Sequence, residues 1–266
     1  MIQATETITT TEDEPGQAGG VKSARRAIDL LETFAANPAW TSLADLHART
    51  GVPRSSLHGL LRTLRDAGWI ETDPGGTRFR LGVRALICGT AYLDRDPVMP
   101  YVTETLERVR EQTGWTAHYA RLCGDQVVYL ETRESRHSRH LVSRVGRTLP
   151  AYSTALGKAL LAELTEDEVV ELLPATLPPL TEHTVATRHT LLAELAQSRQ
   201  RGFAIEHEEG TLGIACAAAV VPYRIPATDA LSCSMPADRA EADRVGALLA
   251  DVAGELSQRL RRAGIR

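Results

Sequence analysis

Cysteine is scarce in this chain. Cys88, Cys123, Cys216 and Cys233 are the four among 266 residues, and no two of them form a CxxC pair. That pattern has neither the density of a disulfide-stapled secreted domain nor the spacing of a paired metal site, and it suits a reducing cytoplasm. No apolar run approaches the ~18–20 residues that a membrane helix needs, so no membrane association is expected. The N-terminal stretch lacks the basic and apolar segments of a signal peptide. Also missing are a GxSxG nucleophile elbow, a GxGxxG fingerprint and a GxxxxGKS/T phosphate loop. Without them Ser153, Cys216, Glu206 and the histidines do not make a recognisable hydrolase. No catalytic residue, cofactor or bound metal is assigned, and an enzyme stands only as a remote alternative. Internal repeats and low-complexity arrays are absent too.

What is present is enough for two modest domains, since 43% of the residues are apolar. The net charge of −4 is unevenly spread. Residues 1–20 carry Glu6, Glu12, Asp13 and Glu14 and no base. Residues 21–95 carry eleven Lys or Arg against seven Asp or Glu. The remainder carries nineteen against twenty-three. A basic segment beside an acidic one fits a nucleic-acid-binding module joined to a separate sensor.

The basic segment has a readable pattern. Residues 41–81 predict a helix, a turn at Thr50-Gly51-Val52, a second helix and a short hairpin turning at Asp73-Pro74-Gly75-Gly76. At about 100° per residue, Leu57, Leu60, Leu61 and Leu64 share one face of the second helix. Arg54, His58, Arg62 and Arg65 share another. A recognition helix needs that division: apolar anchoring behind, donors in front. In the hairpin, Arg78 and Arg80 alternate with Phe79 and Leu81 and so point away from the buried face. This is a winged helix-turn-helix, with Arg54, Ser55, His58, Arg62, Arg65, Arg78 and Arg80 as candidate contacts to double-stranded operator DNA.

Residues 1–20 read as a disordered tail. Ser23 is expected to cap a first helix, with Ala27, Leu30, Leu31 and Phe34 inward and Pro38 as its stop. Thr41 or Ser42 starts the next helix, with Asp45 in its first turns. The winged domain spans 21–81. A linker helix follows over 82–95, with Leu86, Ile87 and Tyr92 as candidate contacts. Residues 96–266 form an α+β module. It begins with an amphipathic helix over 98–112, burying Val102, Leu106 and Val109. Strands over 116–122 and 126–131 turn at Cys123-Gly124-Asp125, and a strand over 139–145 comes next. Helices are expected over 155–164, 165–173 and 188–201, with Thr165 and Glu168 as a capping box. Strands follow over 203–206, 214–221 and 228–234. A terminal helix runs from Pro236 to about Arg262.

Four stretches carry a resemblance. TGVPRSSLHGLLRTL lies in the first domain, GRTLPAYSTALGKALLAEL starts at Gly146, and RGFAIEHEEGTLGIACAAAVV starts at Arg201, with DALSCSMP after it. On these residues the chain resembles the IclR (isocitrate lyase regulator) family of bacterial transcription factors over nearly its whole length after residue 20. The resemblance implies a two-domain α+β protein: winged helix-turn-helix, linker helix and GAF-like effector-binding domain. It implies operator binding as a homodimer or dimer of dimers, controlled by a small, often acidic metabolite. Carried onto this chain, the effector site falls on the backbone of Ala155 and Leu156 and on Glu206, Cys216, Ser232 and Ser234. Leu141, Leu149 and Ile214 supply its apolar side.

The residues themselves agree with that placement. Ser153 and Thr154 precede a helix start, where free N–H groups favour an anion, although capping is the ordinary role of such side chains. Ser232 and Ser234 share one strand face, while Leu231, Cys233 and Met235 take the other. Cys216 can serve equally as a small buried hydrophobe, and Lys158 reads as structural. Two positions depart from the family pattern. Glu206 stands where Asp is common, which reshapes the site. Gly59 stands where Arg is common, which removes one DNA contact and weakens the helix. A metal-responsive regulator is the alternative reading. His137 and His140 are three apart and Cys216 could join them, but Arg136 and Arg139 disfavour a cation.

Overall fold

The computed structural model describes residues 20–37, 39–135, 145–239 and 241–266. The tail expected over 1–20 (Gly20 apart), the stop at Pro38 and almost all of the strand expected over 139–145 lie outside them. The chain divides between Tyr92 and Leu93 into two compact units.

The first unit opens with α1 (Lys22–Ala36), β1 (Thr41–Ser42), α2 (Leu43–Thr50) and α3 (Arg54–Asp66). It closes with β2 (Ile70–Thr72), β3 (Arg78–Leu81) and the start of α4 (Val83–Arg95). Its core joins Leu30 and Phe34 of α1, Leu46 of α2, and Leu57, Leu61 and Leu64 of α3. Ser42 caps α2 reciprocally: its hydroxyl accepts from the Asp45 N–H, and the Asp45 carboxylate accepts from the Ser42 N–H, both at 3.2 Å. The Ser42 hydroxyl also donates to that carboxylate at 2.7 Å, and this bond together with the Ser42 N–H holds the Asp45 carboxyl below the usual range. Gly51 ends α2 with φ 64°, a left-handed conformation that favours glycine. The wing hairpin turns on Asp73, whose carboxylate accepts from the N–H groups of Thr77 and Arg78 at 2.8 and 3.0 Å.

Two expectations need correction here. Ser23 does not cap α1, because the helix starts one residue before it, with Val21 at the uncapped N-terminus. The wing is also not a simple hairpin. β1 pairs with β3, giving the order β1-β3-β2. On α4, Val83, Leu86, Ile87 and Tyr92 are between 52% and 65% exposed.

The second unit contains α5 (Met99–Thr113), β4 (Thr116–Cys123), β5 (Gln126–Arg133) and β6 (Thr148–Pro150). A single 3-10 turn (Ala151–Ser153) leads into α6 (Ala155–Leu161), then α7 (Glu166–Leu172) and α8 (Arg188–Arg201). β7 (Ala204–His207), β8 (Ile214–Val220), β9 (Asp229–Pro236) and α9 (Ala242–Arg262) complete it. The sheet order is β6-β5-β4-β9-β8-β7, antiparallel throughout. One face packs on α5 and α9 through Ala117, Tyr119, Ala217, Leu231 and Cys233. The other packs on α6 and α8 through Ala120, Ala204, Ala218 and Ala230. Small residues on both faces of β8 let the helical layers come close.

The β4–β5 turn is Gly124-Asp125, and Cys123 belongs to the strand, opposite Gln126. The Thr165–Glu168 capping box is present. The terminal helix starts at Ala242, not at Pro236. Pro236 looks like a helix start, but β9 still pairs there with Ile214, and the next N–H, of Ala237, donates to Gly213. Backbone pairing across the sheet outweighs the local signal. On the α5 face, Arg121 donates from Nε to Asp229 at 2.5 Å and pairs with Asp96 at 2.9 Å. Asp229 is fully buried and also accepts from the Tyr223 hydroxyl at 2.5 Å. Asp96 caps the chain entering α5 by accepting from the Val98 N–H.

Candidate nucleic-acid interface and effector site

α3 presents the expected division. Leu57, Leu61 and Leu64 are buried, while Arg54, Ser55, His58, Arg62 and Arg65 are exposed. Leu60 is half-buried against the same core. Gly59 lies on the open face, where a Cβ would meet nothing within 4 Å. On β3, Arg78 and Arg80 are exposed and Phe79 and Leu81 half-buried, as alternation requires.

The arginines are not equivalent. Arg65 pairs with Asp66 at 2.9 Å. Arg80 donates twice to Glu71, at 3.1 and 2.9 Å, and stacks over Trp40 at 4.4 Å. These two are already engaged within the unit. Among the described residues, Arg54, Arg62 and Arg78 have no ion-pair partner, so they are the freest to meet phosphate or a base edge.

In the second unit, register brings polar side chains together on the α6 face of the sheet. Glu206 lies opposite Cys216, and Cys216 opposite Ser234. Ser232 lies one rung further, opposite Ala218 and His118. Glu206, Ser232 and Ser234 are at most 8% exposed. Cys216 Sγ lies 3.2 Å from Ser234 Oγ. Ala155 and Leu156, at the start of α6, are buried in the layer above. Leu149 packs into that layer from β6, while Ile214 is half-buried at the open end of β8. Leu141 lies outside the described residues, as do His137 and His140. Among the described residues no group of His, Cys, Asp and Glu could hold a metal ion.

His118 and Thr132 were not anticipated. His118 is buried on β4, with Nδ1 3.1 Å from Thr132 Oγ1 and Nε2 3.2 Å from Ser234 Oγ. Its ring meets Tyr129 edge to face. Burial, with Arg147 nearby, pushes its pKa down to about 4, so the ring is neutral at pH 7. The sequence did hold a faint signal: a lone imidazole between Ala117 and Tyr119 in a buried strand.

Electrostatics set the other groups. Burial raises the Glu206 carboxyl to about 7, against the pull of the Cys216 thiol and of the Glu209 N–H, which donates at 2.9 Å. Burial and the neighbouring Glu206 keep Cys216 a thiol. Lys158, 1% exposed, donates to Glu194 at 2.6 Å and also to Glu209, so it is a tether between α6, α8 and the β7–β8 loop. Burial raises the Glu209 carboxyl despite that ammonium. Thr154 caps α6 by accepting from the Gly157 N–H at 2.9 Å. Ser153 donates to the Pro150 carbonyl. A Cβ at Gly157 would collide with the Ala151 carbonyl, so glycine lets α6 sit on the turn before it.

Comparison with known proteins agrees with this architecture. Residues 90–258 match the bacterial transcriptional regulator IclR C-terminal domain, and residues 23–74 match the IclR helix-turn-helix domain. The chain is 33% identical over 202 residues to the HTH-type transcriptional regulator XynR of Escherichia coli, spanning 76% of this chain and 80% of that one. It is 30% identical over 247 residues to the transcriptional repressor IclR of Escherichia coli, with 90% of each chain covered. An IclR homolog from Microbacterium hydrocarbonoxydans, solved in complex with 4-hydroxybenzoate, shares the fold with a TM-score of 0.75. It is 22% identical and covers 91% of this chain and all of its own.

Proposed function

This chain belongs to the IclR family of bacterial transcriptional regulators, and we propose that a small anionic metabolite, bound in its C-terminal unit, controls its affinity for an operator. DNA is contacted by Arg54, Ser55, His58 and Arg62 of α3 and by Arg78 of the wing, with Arg65 and Arg80 contributing as paired side chains. Residues 21–81 are the DNA-binding domain, 82–95 the linker and 96–266 the effector domain. The protein acts in the cytoplasm as a homodimer or dimer of dimers.

One observation carries the effector reading: Glu206, Cys216, Ser232, Ser234 and His118 converge on one face of a sheet beneath α6. Buried polar groups must be hydrogen-bonded, and these are bonded to one another, which keeps a polar patch inside an otherwise apolar layer where a polar ligand can be met. The N–H groups of Ala155 and Leu156 receive the ligand carboxylate. Ser232 and Ser234 serve its remaining oxygens, and Leu149 and Ile214 enclose its carbon skeleton. Glu206 takes a ligand hydroxyl, which makes hydroxy acids and sugar acids the favoured class. 4-Hydroxybenzoate, the ligand of the Microbacterium neighbour, has that chemistry and is the first acid to try.

The test is a thermal-shift screen of the full-length protein against such acids, since a ligand of the folded state raises the melting point. A hit is then titrated by calorimetry with and without operator. Linkage requires operator DNA to change effector affinity by the factor by which effector changes operator affinity. Equal affinities in the two titrations overturn the mechanism.

A further inference from the structure

We propose that His118 and Thr132 belong to the effector site, and that a hydrogen-bond chain across five strands, given its direction by the Glu206 carboxylate, sets which way the Ser234 hydroxyl points. The inference takes its meaning from the effector reading above, but its test needs no effector.

The chain crosses β5, β4, β9, β8 and β7 in their order in the sheet. Thr132 Oγ1 meets His118 Nδ1 at 3.1 Å, and His118 Nε2 meets Ser234 Oγ at 3.2 Å. Ser234 Oγ meets Cys216 Sγ at 3.2 Å, and Cys216 stands directly opposite Glu206 in the β7–β8 pairing, which puts its thiol beside that carboxylate. Between its ends, every link has one hydrogen to give. An ionised carboxylate only accepts. So Glu206 takes the thiol hydrogen of Cys216. Cys216 sulfur then takes the hydroxyl hydrogen of Ser234. Ser234 oxygen takes the N–H of His118, which must therefore be at Nε2. Nδ1 is left to accept from Thr132. Fixing one end fixes all the links.

The groups that face Glu206 are Cys216 from β8, Glu209 from the β7–β8 loop, Lys158 from α6 and Tyr129 from β5. Those that face His118 are Thr132, Ser234, Tyr129 and Arg147. The imidazole is buried and neutral, so it transmits direction without carrying charge. With Glu206 ionised, Ser234 has a spare lone pair for a ligand hydroxyl, and its hydrogen is committed to Cys216. With Glu206 protonated, the anionic end is gone and the Ser234 hydrogen is released to a ligand carboxylate. Anion binding at this site therefore takes up one proton, at Glu206.

The experiment is nitrogen-15 NMR of the histidine ring nitrogens of the full-length protein, with His118 assigned by its loss in His118→Gln. Above pH 8, His118 is expected as the Nε2–H tautomer. Lowering the pH towards 6 should shift its two nitrogens as Glu206 takes a proton, well before the ring itself is protonated. Glu206→Gln and Ser234→Ala should each abolish that shift, the first by removing the titrating end and the second by cutting the chain. An Nδ1–H tautomer above pH 8 overturns the proposal. So does a flat wild-type profile, or a shift that survives in either variant. If a variant does not fold, the wild-type tautomer and its profile still decide. Failure here leaves the effector reading standing, and a screen without hits leaves this result untouched.

Discussion

Replacing Lys158 with Met tests the buried tether most directly. The ammonium is 1% exposed, and a methionine has nearly the same length without the charge. Its partners would respond differently. The Glu194 side chain is 36% exposed and can turn to water, so its lost pair counts for little. The Glu209 side chain is 9% exposed, and among the described residues the Lys158 ammonium is its charged partner. Lys158→Met would leave that carboxylate buried without a counter-charge, with the Val185 N–H as its remaining support. Orphaning one member of a buried pair typically costs about 3–5 kcal/mol. For a domain of this size that is roughly 6–20 °C in melting temperature, at about 2–4 °C per kcal/mol.

The cost should depend on pH. The Glu209 carboxyl is already raised by burial, and loss of Lys158 raises it further. A group raised in the folded state contributes stability below its unfolded pKa and loses it as pH rises through the folded value. The variant should therefore be nearest to wild type in mild acid and furthest from it above neutrality. Urea denaturation of the full-length protein, followed by circular dichroism and fitted with separate transitions for the two units, measures this. A loss below about 1 kcal/mol at pH 8 would refute the orphaned-charge argument. Adding Glu209→Gln should recover part of the loss, because it removes the charge that Lys158 no longer meets.

Arg54→Ala or Arg62→Ala should weaken operator binding by about 1–3 kcal/mol where the side chain reads a base edge, measured by fluorescence anisotropy at fixed salt. Arg65→Ala should cost less, because Asp66 already engages that guanidinium; an equal loss in all three would mean that the pairing is broken on DNA. Gly157→Ala should destabilise the second unit by about 1–3 kcal/mol through overpacking against Ala151, and an unchanged urea midpoint would show that the turn can yield. Glu206, raised from 4.5 to about 7, contributes stability in acid that is lost as pH climbs through about 7. At about 1.4 kcal/mol per unit, that is up to about 3 kcal/mol, so the stability of wild type relative to Glu206→Gln should fall by that order between about pH 5 and 8. A difference that is constant with pH would place the Glu206 carboxyl in its ordinary range.

Much of this fold could be read from local signals. The Leu57, Leu61 and Leu64 spacing located α3, and the Thr165 and Glu168 pair located the start of α7. Alternation put Ser232 and Ser234 on one face and Leu231, Cys233 and Met235 on the other, as register confirms. What escaped was non-local. β1 is two residues long and has no periodicity, and it exists only because β3 lies beside it. His118 and Ser234 meet because β4 neighbours β9, a pairing that no spacing along the chain encodes. The partners of Lys158 are 36 and 51 residues away, so burial of its charge left no local trace. Family likeness located Glu206, Cys216, Ser232 and Ser234; it did not supply the imidazole that joins them.

The placement of charge makes ionic strength a way to separate the two halves of the protein. Arg54 and Arg62 lie open to solvent, and contacts made by such groups to phosphate weaken steeply with added salt through counterion release. Arg121 is different: its side chain is 17% exposed, and its partners Asp96 and Asp229 are 8% and 0% exposed. At 0.5 M salt the screening length is only about 4–5 Å, yet mobile ions have little access to a pair from which water is excluded. The chain entering α5 thus stays fastened to β4 and β9 at salt concentrations that weaken the DNA contacts proposed for α3. Ligand affinity measured in high salt would then report the second unit free of its operator, in the same intact chain.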